Sequence, residues 1–207
     1  HADFLNLTQR RKEGIPVAYL TGQRAFYDLT FEVSDAVLIP RPETELLVDL
    51  ALQHIPADKP SKVLDLGTGS GVLAITIAKH RPYAQVTAVD VSKDAIAICQ
   101  RNARNVHVQN IRFITASWFD ELLYETFDLI VSNPPYVADA DPHLQQGDLR
   151  FEPRLALTAG VNGLTCIQHI IDKAPQYLMR GGWLLFEHGY DQAAECSRLL
   201  RDADFSN

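Results

Sequence analysis

Hydrophobic residues along this chain follow two alternating periods. Solid apolar runs at Lys62 to Leu66, Gln85 to Val91, Ile111 to Thr115, Phe127 to Ser132 and Trp183 to His188 have the length and composition of strands buried on both faces. Between and after them, apolar residues three and four apart predict helices over Val72 to His80, Ser92 to Asn102, Leu164 to Leu178 and Asp191 to Arg201, with Ser92 a natural N-cap. Strands alternating with helices predict an α/β fold with a doubly wound, mostly parallel sheet. Upstream, Pro42 suits a first helical turn, and the acids after it favour the positive end of the dipole. That helix is expected to run to about His54 and to bury Leu46, Leu47, Leu50 and Leu52. Ile15 to Val33 predicts two short strands turning at Asp28. His1 to Glu13 predicts the end of a helix, with Arg10, Arg11 and Lys12 in its last turn and Gly14 as its stop. The expected organisation is the end of a truncated helical domain over 1–14, a β-hairpin linker over 15–34 and the main domain over 35–207.

Composition narrows the class. A chain of 207 residues, 46% hydrophobic, holds one α/β domain and a small appendage. Its apolar runs fall far short of the ~20 residues of a membrane span, and no secretory signal is visible. Cys99, Cys166 and Cys196 are widely spaced, without CxxC or Cys/His metal spacing, which predicts reduced thiols in the cytoplasm and no metal site. A net charge of −7 argues against a broad phosphate-gripping surface, so no direct nucleic-acid partner is expected.

Two stretches carry candidate chemistry. The first strand runs into Gly67-Thr68-Gly69-Ser70-Gly71 and then a helix, the setting of a nucleotide loop, where missing side chains let the backbone approach a ligand. The dinucleotide pattern G-x-G-x-x-G would need a third glycine where Val72 stands, so the loop departs from dehydrogenases. Asp90, ending the second strand, is the candidate acceptor for ribose hydroxyls. Trp118, after the third, stands where an adenine ring would lie, core packing being its alternative role. Asp65 orients the glycine loop or a ligand's ammonium group, or is purely structural.

The second stretch is Asn133-Pro134-Pro135-Tyr136, at the end of the predicted strand Phe127 to Ser132. Two prolines stop the strand and leave its carbonyls without ladder partners. The Asn133 amide oxygen and the Tyr136 ring then suit a planar NH2 group, acceptors for its hydrogens and a face to stack on. A plain strand-ending turn is the alternative.

In combination these residues resemble a known family. Val63 to Gly71 with Asp90 resembles the binding loop of class I S-adenosylmethionine-dependent methyltransferases. Asn133-Pro134-Pro135-Tyr136 is similar to the motif of amino-group methyltransferases acting on adenine, cytosine or glutamine amide. Gly14 to Gly22, Leu38 to Glu45, Arg150-Phe151-Glu152-Pro153 with Ala156-Leu157, and Phe186-Glu187-His188-Gly189 resemble the peptide chain release factor glutamine methyltransferases of the HemK type. The resemblance implies a Rossmann-like fold, S-adenosylmethionine as methyl donor with S-adenosylhomocysteine as product, and methylation of the glutamine in the Gly-Gly-Gln motif of bacterial class I release factors. It implies an N-terminal helical bundle and a closing antiparallel strand pair, of which this chain would hold only the bundle's last helix. It also implies that the Pro40–Glu45 turn, with Arg41 and Glu43, lies beside the pocket.

Under that reading Gly67, Thr68, Gly69, Ser70, Gly71, Asp90, Trp118 and Asn133 bind the cofactor. Asn133, Pro134, Pro135 and Tyr136 bind and activate the substrate, and the release factor is the partner of a monomeric enzyme. No general base stands out; His143 and His188 are minor candidates. Val137 to Gly163 is either a substrate lid or scaffold. The rival readings are an adenine-N6 nucleic-acid methyltransferase, which should carry a basic groove, and a non-catalytic adaptor, which should have lost a glycine or an acceptor.

Overall fold

The computed structural model describes residues 2–206; His1 and Asn207, the outer ends of the first and last stretches, lie outside them. The chain opens with helix α1 (Ala2–Lys12) and a short helix α2 (Val17–Thr21), then the antiparallel strands β1 (Gln23–Phe26) and β2 (Leu29–Glu32). A 3₁₀ turn over Pro42–Thr44 leads into α3 (Glu45–His54). The alternating part follows: β3 (Ser61–Leu66), α4 (Val72–His80), β4 (Ala84–Asp90), α5 (Lys93–Asn105), β5 (Ile111–Thr115), β6 (Phe127–Ser132), α6 (Thr165–Lys173), β7 (Leu178–Phe186) and α7 (Ala193–Asp202).

These strands form one five-stranded sheet, all parallel, in the order β5-β4-β3-β6-β7. The solid apolar runs are explained by burial on both faces. Val63, Val86, Ala88, Leu129 and Val131 pack toward α3, α4 and α5. Leu64, Leu66, Val89 and Ile130 pack toward Ile170 and Ala174 on the other side. The chain starts at β3, steps outward to β5, then returns to β6. The order therefore reverses between β3 and β6, where an open α/β sheet binds its ligands.

Several expectations are corrected. Val17–Thr21 is helical, because the chain turns after Pro16 and closes at Gly22 in a left-handed conformation; only 23–32 is hairpin. Leu46 is exposed, and the buried face of α3 is Leu47, Val48 and Ala51, continued by Thr44 and Ile55. Of the four leucines Leu47 lies on this face, and the rest of the set runs through Thr44, Val48, Ala51 and Ile55. Pro175 ends α6 in a 3₁₀ turn, and β7 begins before the Gly181-Gly182 pair rather than after it. There a Cβ on Gly182 would press on the Asp128 carbonyl at 3.0 Å, where the β6–β7 register shifts. The last helix begins two residues later than its pattern, at Ala193.

One buried polar side chain joins the hairpin to the sheet's ligand end. Asn102 on α5 accepts from the Glu32 backbone N–H at 2.7 Å and donates to the carbonyls of Glu32 (3.0 Å) and Ser70 (2.9 Å). Each buried group left unpaired costs ~1–3 kcal/mol. Asn102→Ala is therefore expected to lower unfolding stability by about 3 kcal/mol in urea titrations; a change within about 0.5 kcal/mol, the range of neutral surface substitutions, would show that water replaces all three bonds.

Candidate active site

Strands β3 and β6 end side by side. Leu66 pairs with Ser132, and the buried Ser132 hydroxyl donates to the Leu66 carbonyl at 2.7 Å. The glycine loop and the Asn-Pro-Pro-Tyr stretch therefore leave the sheet from neighbouring positions. Above them opens a cavity of about 440 Å³, within the ~300–1,000 Å³ of small-molecule sites. Gly67, Thr68, Gly69, Ser70, Asp90, Trp118, Asn133 and Pro135 line it; Gly71, Pro134 and Tyr136 do not.

The glycine loop is a tight arch. The Thr68 N–H donates to Val89 at 2.9 Å and the Gly71 N–H to Thr68 at 2.8 Å. Gly67 and Gly71 have φ of 69° and 89°, values that strain any residue with a Cβ. A Cβ on Gly67 would lie 3.7 Å from the Trp118 ring, and one on Gly71 would collide with Cys99 and Ile75. Gly71 thus serves packing at the start of α4 rather than the cavity wall.

Two carboxylates flank the arch. Asp90 accepts from the Gly69 N–H and the Ser92 N–H, both at 2.9 Å, one on each oxygen. Each oxygen keeps a free lone pair at the cavity, and burial pushes its pKa up despite those bonds. Asp65 is fully buried; its Oδ2 accepts from the Thr68 hydroxyl at 2.6 Å and the Ala74 N–H at 3.1 Å. Its Oδ1 has no protein partner, and the residue lines the cavity. Burial, partly offset by those two bonds, pushes its pKa up to about 7. The Trp118 ring is half-buried between Gly67 and His169, with the backbone at φ 48° turning it across the cavity wall.

On the other side, Asn133 donates through Nδ2 to the Thr44 hydroxyl at 3.0 Å. The Thr44 hydroxyl donates to Glu187 at 2.6 Å, and the Tyr136 hydroxyl donates to the other Glu187 oxygen at 2.8 Å. Burial first, then the Glu187 charge, drives the Tyr136 pKa far above the ordinary phenol value, so its proton stays in place. Tyr136 packs against the apolar cluster of Leu164, Ile167, Ile171, Cys196 and Leu199, and its carbonyl accepts from Gln192 at 3.0 Å.

The buried Glu152 accepts from the Ile39 N–H at 3.0 Å and forms a short ion pair with Arg41. It ties the segment before α3 to the long loop 137–163, and Arg41, Pro153 and Leu155 form part of the wall. That loop is closed on itself by a parallel bridge between Val137 and Thr158 and by the Asp139 N–H on Gly160 at 2.9 Å. Glu43 is exposed and off the cavity, unlike Arg41. His143 pairs with Asp141 at 2.8 Å on the surface and His188 bonds the Gly189 carbonyl at 2.8 Å; neither reaches the cavity. Thr44, Glu152 and Glu187 are the site residues to which sequence reasoning assigned no role. Thr44 sat between two glutamates that read as helix-dipole chemistry, and Glu152 and Glu187 lay in family-like stretches without a visible partner.

This parallel sheet with a ligand cavity at its switch point has the class I methyltransferase architecture. A methyltransferase from Pyrococcus furiosus superposes with a TM-score of 0.63 at 17% identity, over 97% of this chain and 88% of that one, a likeness of fold. The family model "Methyltransferase small domain" matches residues 44–148. The release factor glutamine methyltransferase of Salmonella typhimurium is 50% identical over 202 residues, 98% of this chain and 73% of the relative. That of Xylella fastidiosa (strain 9a5c) is 52% identical over 200 residues, 97% of this chain and 73% of the relative. The chain belongs to the release factor glutamine methyltransferase family. Among the described residues, no helix is long and apolar enough to cross a membrane.

Asp65 yields a ligand-free test. An unfolded aspartate releases its proton near pH 4, the folded one near 7. Between these values the unfolded state holds fewer protons, so stability falls as pH rises. Relative to Asp65→Asn, the parent chain is expected to lose on the order of 2–3 kcal/mol of stability between pH 5 and pH 8. Parallel stability curves for the two proteins in urea would contradict the buried-acid assignment.

Proposed function

We propose that this chain transfers a methyl group from S-adenosylmethionine to the side-chain amide nitrogen of the glutamine in the Gly-Gly-Gln motif of bacterial class I release factors. The observation that carries the reading is the adjacency of the glycine arch and Asn133 at the paired ends of β3 and β6. The names of the relatives supply the substrate. When bound, S-adenosylmethionine supplies an electrophilic methyl group on a sulfonium centre and departs as S-adenosylhomocysteine.

The residues present fit such a donor. The unpartnered Asp65 Oδ1 in the wall suits an ammonium group. The free lone pairs of Asp90 suit ribose hydroxyls, and the Trp118 face suits adenine. The side chains absent at Gly67 and Gly69 leave room for the ligand against the arch.

On the substrate side, an amide nitrogen is a weak nucleophile because its lone pair is delocalised into the carbonyl. As nitrogen bonds to the methyl carbon it gains positive charge, and its two hydrogens become stronger donors. Asn133 Oδ1, in the cavity wall, accepts one of them, and one proton then leaves to solvent; Pro134, the second acceptor expected from the sequence, is buried off the cavity wall and carries no contact in this step. Pro135 forms the adjoining wall and Tyr136 supports the motif from behind. Holding the nitrogen in line with the methyl group supplies the entropic share of the acceleration.

Acceptors aimed at developing charge act mainly in the transition state. Asn133→Ala is therefore expected to bind S-adenosylmethionine with nearly unchanged affinity while kcat falls by about 10²–10³, read by labelled methyl transfer to a release factor and by calorimetry. A release factor whose motif glutamine is changed to glutamate should receive no label. Methylation of duplex DNA, with the release factor untouched under the same conditions, would replace the glutamine reading with the adenine one.

A further inference from the structure

The side-chain amide of Asn133 serves catalysis only if its oxygen, not its NH2 group, faces the substrate. Three segments distant in sequence fix that choice. Thr44 precedes α3, Asn133 follows β6, and Glu187 follows β7. A carboxylate can only accept, and a hydroxyl has one proton to give. The Thr44 hydroxyl, 2.6 Å from Glu187 Oε2, therefore spends its proton on Glu187. Its oxygen can then only accept from Asn133, at 3.0 Å, so the group facing Thr44 must be Nδ2. The Asn133 oxygen is left for the cavity. The other Glu187 oxygen takes the Tyr136 proton at 2.8 Å, so one carboxylate orients both ends of the Asn-Pro-Pro-Tyr stretch.

Thr44 has a bland alternative role that the geometry removes. It occupies the N-cap position of α3, where a threonine hydroxyl ordinarily accepts a backbone N–H of the first turn. Here the side chain makes no capping bond. It is 1% exposed and lines the cavity, its hydroxyl committed to Asn133 and Glu187.

We infer that Thr44 and Glu187 are positioning residues that set the donor–acceptor polarity of Asn133 for methyl transfer. The inference rests on the function proposed above. Glu187→Gln, which keeps the shape, would let an amide NH2 donate to Thr44, turn the Thr44 proton toward Asn133 and present the Asn133 NH2 group to the substrate. Thr44→Val removes the relay, and Thr44→Ser keeps it.

The test is a double-mutant cycle read by single-turnover transfer of labelled methyl to a release factor, with cofactor affinity measured by calorimetry. Thr44→Val and Glu187→Gln are each expected to lower the transfer rate at least about tenfold, part of what loss of an oriented acceptor costs. The release factor KM and cofactor affinity should stay near parental values, and Thr44→Ser should recover most of the rate lost in Thr44→Val. In an Asn133→Ala background neither change should cost more, because groups acting through one residue are not additive. Should Thr44→Val fail to fold, Glu187→Gln carries the cycle. With the parent active and Asn133→Ala deficient, additive losses overturn the positioning role alone. An intact rate in Asn133→Ala overturns it together with the catalytic reading of Asn133. An inactive parent, with DNA methylated instead, overturns the function on which both rest.

Discussion

The site depends on the parallel pairing of β3 with β6 and on where it ends. Both strands stop at the same register, Leu66 beside Ser132, and the Ser132 hydroxyl closes the end by donating to the Leu66 carbonyl. From that point the chain leaves as a glycine arch on one strand and as Asn-Pro-Pro-Tyr on the other. A one-residue slip would turn every side chain of a strand to the opposite face, placing Val63 and Leu129 in the wrong core. The two apolar cores thus fix the register, and the register brings the two functional stretches together.

Around this junction lie most of the buried polar side chains with a ligand-end role. Asp65 holds the arch to α4 through Thr68 and the Ala74 N–H. Asn102 holds the arch to the hairpin through Ser70 and Glu32. Glu152 holds the segment before α3 to the loop 137–163 through Ile39 and Arg41. Asp65 bonds within nine residues of itself, whereas Asn102 and Glu152 reach segments more than 30 residues away; in each case losing one partner leaves another buried and unpaired. The cavity walls therefore come from loops that these side chains fasten to β3, to α5 and to the segment before α3. The long loop has its two ends joined by backbone bonds at Val137 and Asp139.

What was legible in the sequence was local. The glycine loop, the proline-stopped strand, Ser92 as an N-cap and the alternation of strand and helix each depend on neighbouring residues, and each stands where its pattern placed it. Asp90 and Trp118 were legible because their strand ends lie on the ligand side of the sheet. Contacts across the chain were not legible. Thr44, Asn133 and Glu187 meet over separations of 89 and 143 residues, and no local period records a hydrogen bond between side chains. On α3 a count of leucines finds Leu47 but not the rest of the buried face, which continues through Val48 and Ala51 and the preceding Thr44, while Leu46 is exposed. Over Ile15 to Val33 the apolar residues fit a hairpin, but the turns at Pro16 and Gly22 close Val17–Thr21 into a helix and confine the strands to 23–32.

In the proposed function, methyl donor and amide acceptor meet where β3 and β6 end. A crystal structure of the chain with S-adenosylhomocysteine tests it most directly. The adenine is expected against Trp118, the ribose hydroxyls on Asp90, the ammonium group at Asp65 Oδ1 and the sulfur turned toward Asn133. A ligand lying the other way round, with its adenine at Asn133 and its sulfur near Asp90, would contradict it.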